Sequence, residues 1–320
     1  MPIRDLTLSQ KTMNAILDTA VELGRQRIAL TRQPKSAKTN TIGVIVHELN
    51  THFITSVLAG IEQQANEAGY SLIITHSSEN CEKEAANALQ LLHKSVDGLI
   101  ASLAFNTRNL EHFNRFRKKG IPVIFFDRVA ENNHSTNVII DNYHCGFQAT
   151  SHLINQGCSN IALVTGSLER NVYAQRHQGY ADALAKNNIP YNKKYVLIKD
   201  LSKQGSLTAA KELLNRQVRP DGVFVTNDFS AAVCMQFFKD HGIRIPQDIA
   251  MVGFNDDTIS KMVEPQLTTI RYPGFDMGQQ AARSLIDQLT GIAGKEETKT
   301  IIVHSELVIR SSSLKKVSDH

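Results

Sequence analysis

From Thr41 onward the chain alternates short runs of β-branched and aliphatic residues with longer stretches whose apolar positions recur every three or four residues. "TIGVIV" (41–46) is followed by a helical pattern over 53–68, in which Val57, Ile61, Gln64, Ala65 and Ala68 share a face. "YSLIIT" (70–75) precedes "KEAANALQLLHKS", "DGLIASL" (97–103) precedes "NLEHFNRFRKKG", and "IPVIFFD" (121–127) closes the series. A second series follows a helix around 143–156. It comprises "NIALVTG" (160–166), "YVLI" (195–198), "GVFVTN" (222–227) and "IAMVGFN" (249–255), with helices near 170–187, 206–217 and 228–241. The chain ends with "LTTIRY" (267–272), a helix over about 275–290, and the extended run "TIIVHSELVIR" (300–310). Strands that are apolar throughout, each followed by a helix, predict parallel sheets covered on both faces. The fold class is therefore α/β, with two doubly wound parallel-sheet halves. Such sheets bind ligands beyond the carboxyl ends of their strands, so the cleft between the halves is the expected site.

Ahead of this array, "LSQKTMNAILDTAVELGRQR" (8–27) reads as one amphipathic helix. Leu8 and Ser9 suit a hydrophobic staple and N-cap, and Gly24 offers a stop. Met13, Ile16, Leu17, Ala20 and Val21 form a single apolar stripe. A lone helix of this length is marginal in water, so the stripe needs something to bury against. "TRQPKSAKTN" (31–40) has linker composition, and Pro34 would break a helix running through from Leu23, which sets a domain boundary there.

Composition narrows the class. With 320 residues, 42% hydrophobic and 21% charged, the chain suits two ordinary domains of a soluble globular protein. No apolar run approaches the roughly 18 residues of a membrane helix. Charges interrupt the N-terminal apolar positions where a secretory signal would lie, so a cytoplasmic protein without a membrane partner is expected. Cys81, Cys145, Cys158 and Cys234 are scattered with no C-x-x-C pair, which predicts free thiols rather than disulfides or a zinc site. The charge is unevenly spread. Residues 1–40 carry seven Lys or Arg against Asp5, Asp18 and Glu22, and this net +4 equals that of the whole chain. A basic arm on a neutral body points to a polyanion, usually nucleic acid, although a solvated leader has the same composition.

Catalytic constellations are poor. G-x-S-x-G, G-x-x-x-x-G-K-[ST] and H-E-x-x-H are absent. The twelve histidines show no ligand spacing, and Asp256–Asp257 at a strand end should point apart. No enzyme, cofactor or metal is expected. What stands out is polar chemistry at strand ends. "NTHF" (50–53) follows the first strand, Asp127–Arg128 the fourth, and Asn227–Asp228 and Asn255–Asp256 end two strands of the second half. Arg176 lies on the helix after "NIALVTG". Taken singly, Asn and Asp here suit helix capping or turns. Converging on a cleft, they and Arg176 suit a hydroxyl-rich or heterocyclic ligand, with Phe53 and Tyr272 offering faces for a ring.

The segments "TIGVIVHELNTHF", "GFQATSHLINQGCSNIALVTG", "RHQGYADAL", "GVFVTNDFSA", "IPQDIAMVGFNDDTISKMVEPQLTTI" and "MGQQAARSLIDQL" occur in this order. Together they resemble the effector-binding core of the lactose/galactose-repressor (LacI/GalR-type) family over residues 41–312, most specifically over 245–270. The resemblance implies a periplasmic-binding-protein-like pair of subdomains joined by three crossovers, a homodimer, and a small-molecule effector in the cleft, such as a sugar. It implies an N-terminal subdomain of 41–149 plus 273–297, a C-terminal one of 150–272 plus 298–312, and a tail of 313–320. By matching position, the effector contacts are Phe53, Asp127, Arg176, Asn227, Asn255 and Tyr272. Where many relatives carry Asp in "GFND", this chain has Asn255, and a neutral amide changes the hydrogen-bond demand on the ligand.

In that family a helix-turn-helix headpiece precedes the core and places its second helix in the major groove. The helix at 8–27 resembles the third headpiece helix, so residues 1–30 read as a headpiece remnant and 31–40 as the hinge. The hinge departs from the family pattern, with Pro34 near the position of the Leu that wedges into the minor groove. Operator DNA is the implied macromolecular partner, reached through Arg25, Arg27, Arg32 and Lys35. The function expected is effector-sensing transcriptional regulation. A sensor or solute-binding protein of the same fold without DNA contact, and an α/β enzyme acting on a sugar, stay open as alternatives.

Overall fold

Continuous burial along the strands decides the architecture. The computed structural model describes residues 38–130, 133–294 and 297–315, together with Ala15 and Thr19. Strands β3 (Gly98–Ala101), β4 (Val123–Phe126), β6 (Ile161–Thr165) and β8 (Gly222–Val225) are buried at every residue, as the interior of a sheet covered on both faces requires. The first sheet has the order β11 (Thr300–Ile302), β5 (Thr136–Ile139), β4, β3, β1 (Thr41–Val46), β2 (Ser71–His76), and is parallel throughout. The second runs β12 (Leu307–Val308), β10 (Thr268–Arg271), β9 (Ala250–Asn255), β8, β6, β7 (Val196–Ile198); only β12 is antiparallel.

Helices α1 (His52–Glu67), α2 (Cys81–His93) and α3 (Glu111–Arg117) belong to the first sheet. Helices α4 (Asn142–Asn155), α5 (Asn171–Lys186), α6 (Lys203–Leu214), α7 (Asp228–Asp240) and the short α8 (Thr258–Met262) belong to the second. Helix α9 (Gly274–Thr290) returns to the first sheet and packs on α1, β3, β4 and β5. The chain therefore crosses between the sheets three times, near 140–141, 272–273 and 303–306.

The boundaries inferred from sequence move at two of these crossings. Residues 142–149 were expected with the N-terminal subdomain, but all of α4 packs on α5, β8, β9, β10 and β12. The first crossing thus lies near residue 140, immediately before the Asp141 side chain caps α4 by accepting from His144 N at 2.8 Å. Residues 298–312 were expected in the C-terminal subdomain, yet Thr300–Ile302 pair with Asn137–Ile139 of the first sheet. Only β12 joins the second sheet. The run at 300–310 reads as one extended segment because nothing in its alternation marks a change of partner.

On one face of each sheet, the covering pair of helices makes backbone contact through glycine. A Cβ on Gly60 would lie 2.1 Å from Phe275 O, and one on Gly278 2.1 Å from Val57 O, where α1 crosses α9. Where α4 crosses α5, a Cβ on Gly146 would lie 2.2 Å from Arg176 O, and one on Gly179 2.1 Å from Tyr143 O. Strand β5 was not anticipated; its four residues are buried only at alternate positions. Of the N-terminal helix, Ala15 and Thr19 are helical, and Thr19 Oγ1 donates to Ala15 O at 2.7 Å. The rest of that helix, most of the hinge, and Arg25, Arg27, Arg32 and Lys35 lie outside the described residues.

Candidate functional site

The carboxyl ends of the two sheets face one another across a cleft, and the strand-end residues singled out from sequence meet there. Phe53, Asp127, Arg176, Asn227, Asn255 and Tyr272 all line one inner pocket. Thr51 caps α1 by accepting from Ile54 N, which sets Phe53 in the first turn with its ring facing inward. The ring stacks on Tyr272 with centroids 4.2 Å apart and planes 19° from parallel. Tyr272 follows β10 at the second crossing and donates its hydroxyl to Asp127 Oδ1 at 2.5 Å. Burial, reinforced by the Asp127 carboxylate, holds the phenol well above its usual pKa.

Asp127 follows β4 with φ +58°, a left-handed conformation that Asp tolerates. Its carbonyl accepts from Asn171 Nδ2 of the opposite half at 3.1 Å. Arg176 is 3% exposed. Its Nε donates to Asn142 Oδ1 at 2.8 Å, its Nη1 donates to Thr226 O at 3.3 Å, and the guanidinium lies 3.5 Å from the Phe254 ring centroid. The α4–α5 glycine crossing positions this arginine, since its backbone is what Gly146 admits. Asn227 does the work of an N-cap, its Oδ1 accepting from Ser230 N at 3.0 Å, which leaves its amide nitrogen for the cleft. Asn255 and Asp256, with φ of +122° and +58°, turn the chain sharply after β9. The adjacent carboxylates consequently diverge: Asp256 meets Arg310 at 2.5 Å, and Asp257 faces the cleft.

The inner pocket encloses only about 50 Å³, because Phe53 and Tyr272 stack on each other inside it. It opens into an outer cleft of about 900 Å³, which shares Glu48, Thr51, Arg128, Tyr173 and Asn227 with it and is of the size that accepts small molecules. Glu48, Glu79 and Tyr173 were not expected here from sequence, and Arg128, noted at the strand end, was not assigned to the site. Arg128 donates to both oxygens of Glu79 at 2.7 and 2.8 Å and lies against Phe105 and Tyr173. Burial works against its charge, but Tyr173, Glu79 and Asp127 outweigh that and hold its pKa above the ordinary value. Burial likewise opposes the Glu48 carboxylate, yet His47 and Arg128 pull its pKa down. A dipeptide with Arg directly after a strand-end Asp was the available signal for Arg128. His47, Glu48 and Glu79 bring ligand atoms within 4.8 Å of one another, but both Glu79 oxygens are engaged by Arg128.

Direct bonds tie the two walls together. Asn171 Oδ1 accepts from Val129 N at 3.1 Å, Arg170 Nη2 donates to Thr107 O at 2.7 Å, and Arg108 approaches Glu169 at 3.4 Å. The four cysteines are free thiols, and burial raises those of Cys158 and Cys234 to about 11 and about 12. No helix among the described residues is long and apolar enough to cross a membrane.

Residues 150–313 match the family described as a periplasmic binding protein-like domain. Catabolite control protein A of Priestia megaterium is 32% identical over 295 residues, covering 91% of this chain and 86% of that protein. The chain belongs to the LacI/GalR family of transcriptional regulators. The HTH-type transcriptional repressor PurR of Photorhabdus laumondii is 30% identical over 307 residues, or 95% of this chain and 89% of that one. A solved complex of the transcriptional regulator CelR with cellobiose superposes with a TM-score of 0.79 at 25% identity, covering 96% of this chain and 92% of that one. This LacI-family chain is thus a regulator of transcription, related to regulators rather than to enzymes.

Proposed function

We propose that this regulator binds a small polar effector, a sugar or sugar derivative, between its two sheets, and reports occupancy to operator DNA as a cytoplasmic homodimer. The observation that carries the reading is the convergence of Phe53, Asp127, Arg176, Asn227, Asn255 and Tyr272 on one pocket at the carboxyl ends of both sheets. Arg176 and Asp127 orient polar groups, Asn227 and Asn255 read hydroxyls, and the Phe53–Tyr272 stack supplies an apolar face for a ring. Seating a ring there requires the stack to part, since the inner pocket as it stands is smaller than a sugar.

Occupancy acts as a population shift. The effector moves the equilibrium between open and closed cleft only by the difference in its affinity for the two. The cross-cleft bonds of Arg170 and Asn171 hold the two walls together and so favour closure. Contact with DNA is assigned to the basic N-terminal arm, including Arg25, Arg27, Arg32 and Lys35, and is expected to weaken steeply with salt. The test is isothermal titration against a panel of sugars and nucleobases, followed by Arg176→Ala with whichever compound binds. Loss of about tenfold or more in affinity is expected, because Arg176 supplies a charge-assisted donor in a buried site. Unchanged binding in Arg176→Ala would show that the effector sits elsewhere.

A further inference from the structure

The outer cleft carries an imbalance of charge that the inner pocket does not. Asp257 is 9% exposed, and its Oδ1 is buried without a hydrogen-bond partner. The other oxygen, Oδ2, is 3.3 Å from the Asn255 amide nitrogen. The nearest base to Oδ1 is His52 Nδ1 at 3.6 Å, which is beyond hydrogen-bond reach. Glu48 and Asp200 line the same cleft. Among its described basic residues, Arg128 is matched to Glu79 and also steadies Glu48 together with neighbouring His47, which leaves His52 for Asp257. Glu48 follows β1 and Asp257 follows β9, so they approach from opposite halves, and the Glu48 charge adds to the burial that pushes the Asp257 carboxyl up. Like charges from both walls thus meet near a carboxylate oxygen that has no hydrogen-bond partner.

We propose that the molecule taken up by this cleft is an amino sugar, whose protonated amino group sits against the Asp257 carboxylate while its hydroxyls meet Arg176 and Asn227. The proposal rests on the reading of the cleft as the effector site. An ammonium group supplies the missing donor and offsets the repulsion between Glu48 and Asp257, and so favours the closed arrangement. A neutral sugar satisfies the donor requirement only. A sugar phosphate adds negative charge to a cleft already rich in it. A metal ion would find only Asp257 Oδ1 and His52 Nδ1 at this point, too few for a closed site.

The test is isothermal titration of the full chain with glucosamine, galactosamine and mannosamine, each beside its parent hexose, and with glucose 6-phosphate. One amino sugar is expected to bind at least about tenfold more tightly than its parent, as a charge-assisted bond replaces a neutral one. Asp257→Asn should bring that ratio to about one, and Glu48→Gln should lower it by about threefold, a smaller change because Glu48 acts through its charge alone. The amine assignment is overturned if the parent hexose or the phosphate binds as tightly, or if no amino sugar binds at millimolar concentration. A neutral sugar or nucleobase that binds through Arg176 sinks this proposal and leaves the effector reading standing. An amino sugar that binds through Asp257 without altering affinity for operator DNA does the reverse.

Discussion

In the first half α1 meets α9 through Gly60 and Gly278, and in the second α4 meets α5 through Gly146 and Gly179, each crossing admitting no Cβ. The buried carboxylates of the two halves are treated otherwise. Glu84 on α2 is fully buried and meets Ala104 N at 2.6 Å, Thr107 Oγ1 at 2.8 Å and His112 Nε2 at 2.8 Å. Asp228 on α7 is equally buried, but it accepts only from Thr269 Oγ1 at 2.7 Å and Asp257 N at 2.8 Å, with two further carboxylates beside it. The comparison separates scaffold from function. The helix crossings repeat because both sheets need the same close cover, whereas a buried carboxylate crowded by other carboxylates occurs at Asp228, behind the wall from which Asp257 faces the cleft.

The largest expected effect tests that asymmetry. Burial, with Asp257 adding to it, pushes Asp228 up to about 7 from an ordinary 3.8. The native state therefore holds this proton more tightly than the unfolded chain. Its stabilising contribution is complete below about pH 4 and is lost as pH rises through about 7. Asp228→Asn keeps both hydrogen bonds, its amide donating to Thr269 and its carbonyl accepting from Asp257 N. Between pH 4 and pH 8 the wild type should lose up to about 4 kcal/mol of unfolding free energy relative to this variant. Urea titrations across that range would measure it, and a difference independent of pH would erase the contrast.

Next comes the likeness of the crossings. Gly179→Ala and Gly60→Ala each drive a methyl into opposing backbone, and each should cost about 3 kcal/mol in denaturant unfolding. A large cost at one and none at the other would mean that only one crossing is tight. Smaller again are the cross-cleft bonds. Arg170→Ala should cost about 1–2 kcal/mol, because it removes a buried donor to Thr107. Arg108→Ala should cost under about 1 kcal/mol, because its pair with Glu169 is solvent-exposed. Equal losses at the two sites would deny that burial distinguishes them.

Much of this was legible in the sequence, and the failures have physical causes. Uninterrupted apolar runs marked β1, β6, β8 and β9, since interior strands of parallel sheets leave no polar face to confuse the pattern. Strand β5 escaped because Asn137 and Ile139 are only half-buried and four residues make a weak signal. The periodicity of α4 showed that it is a helix but not which sheet it covers; that is decided by its contact with α5 through Gly146 and Gly179. Asp127, Asn227 and Asn255 were legible because Asn and Asp stood at strand ends, whereas Arg176, inside a helix, was placed by the resemblance. Glu48 and Asp257 were not legible, because a carboxylate in a turn ordinarily faces water, and only the closing of the opposite wall buries it.

The crossings also govern the order in which the molecule can be built on the ribosome. Domains generally fold as they emerge, the N-terminal one first. Here the first sheet lacks α9 until residue 290 has been made, and lacks β11 until residue 302. Until then the face of α1 that carries Val57 and Ile61 has no cover. The second sheet, by contrast, draws all but β12 from the unbroken stretch 142–271. The half that is synthesised later is therefore the one able to assemble most of its sheet first, and a gene cut at residue 140 would leave the first half without α9 and β11 but the second with all of its strands.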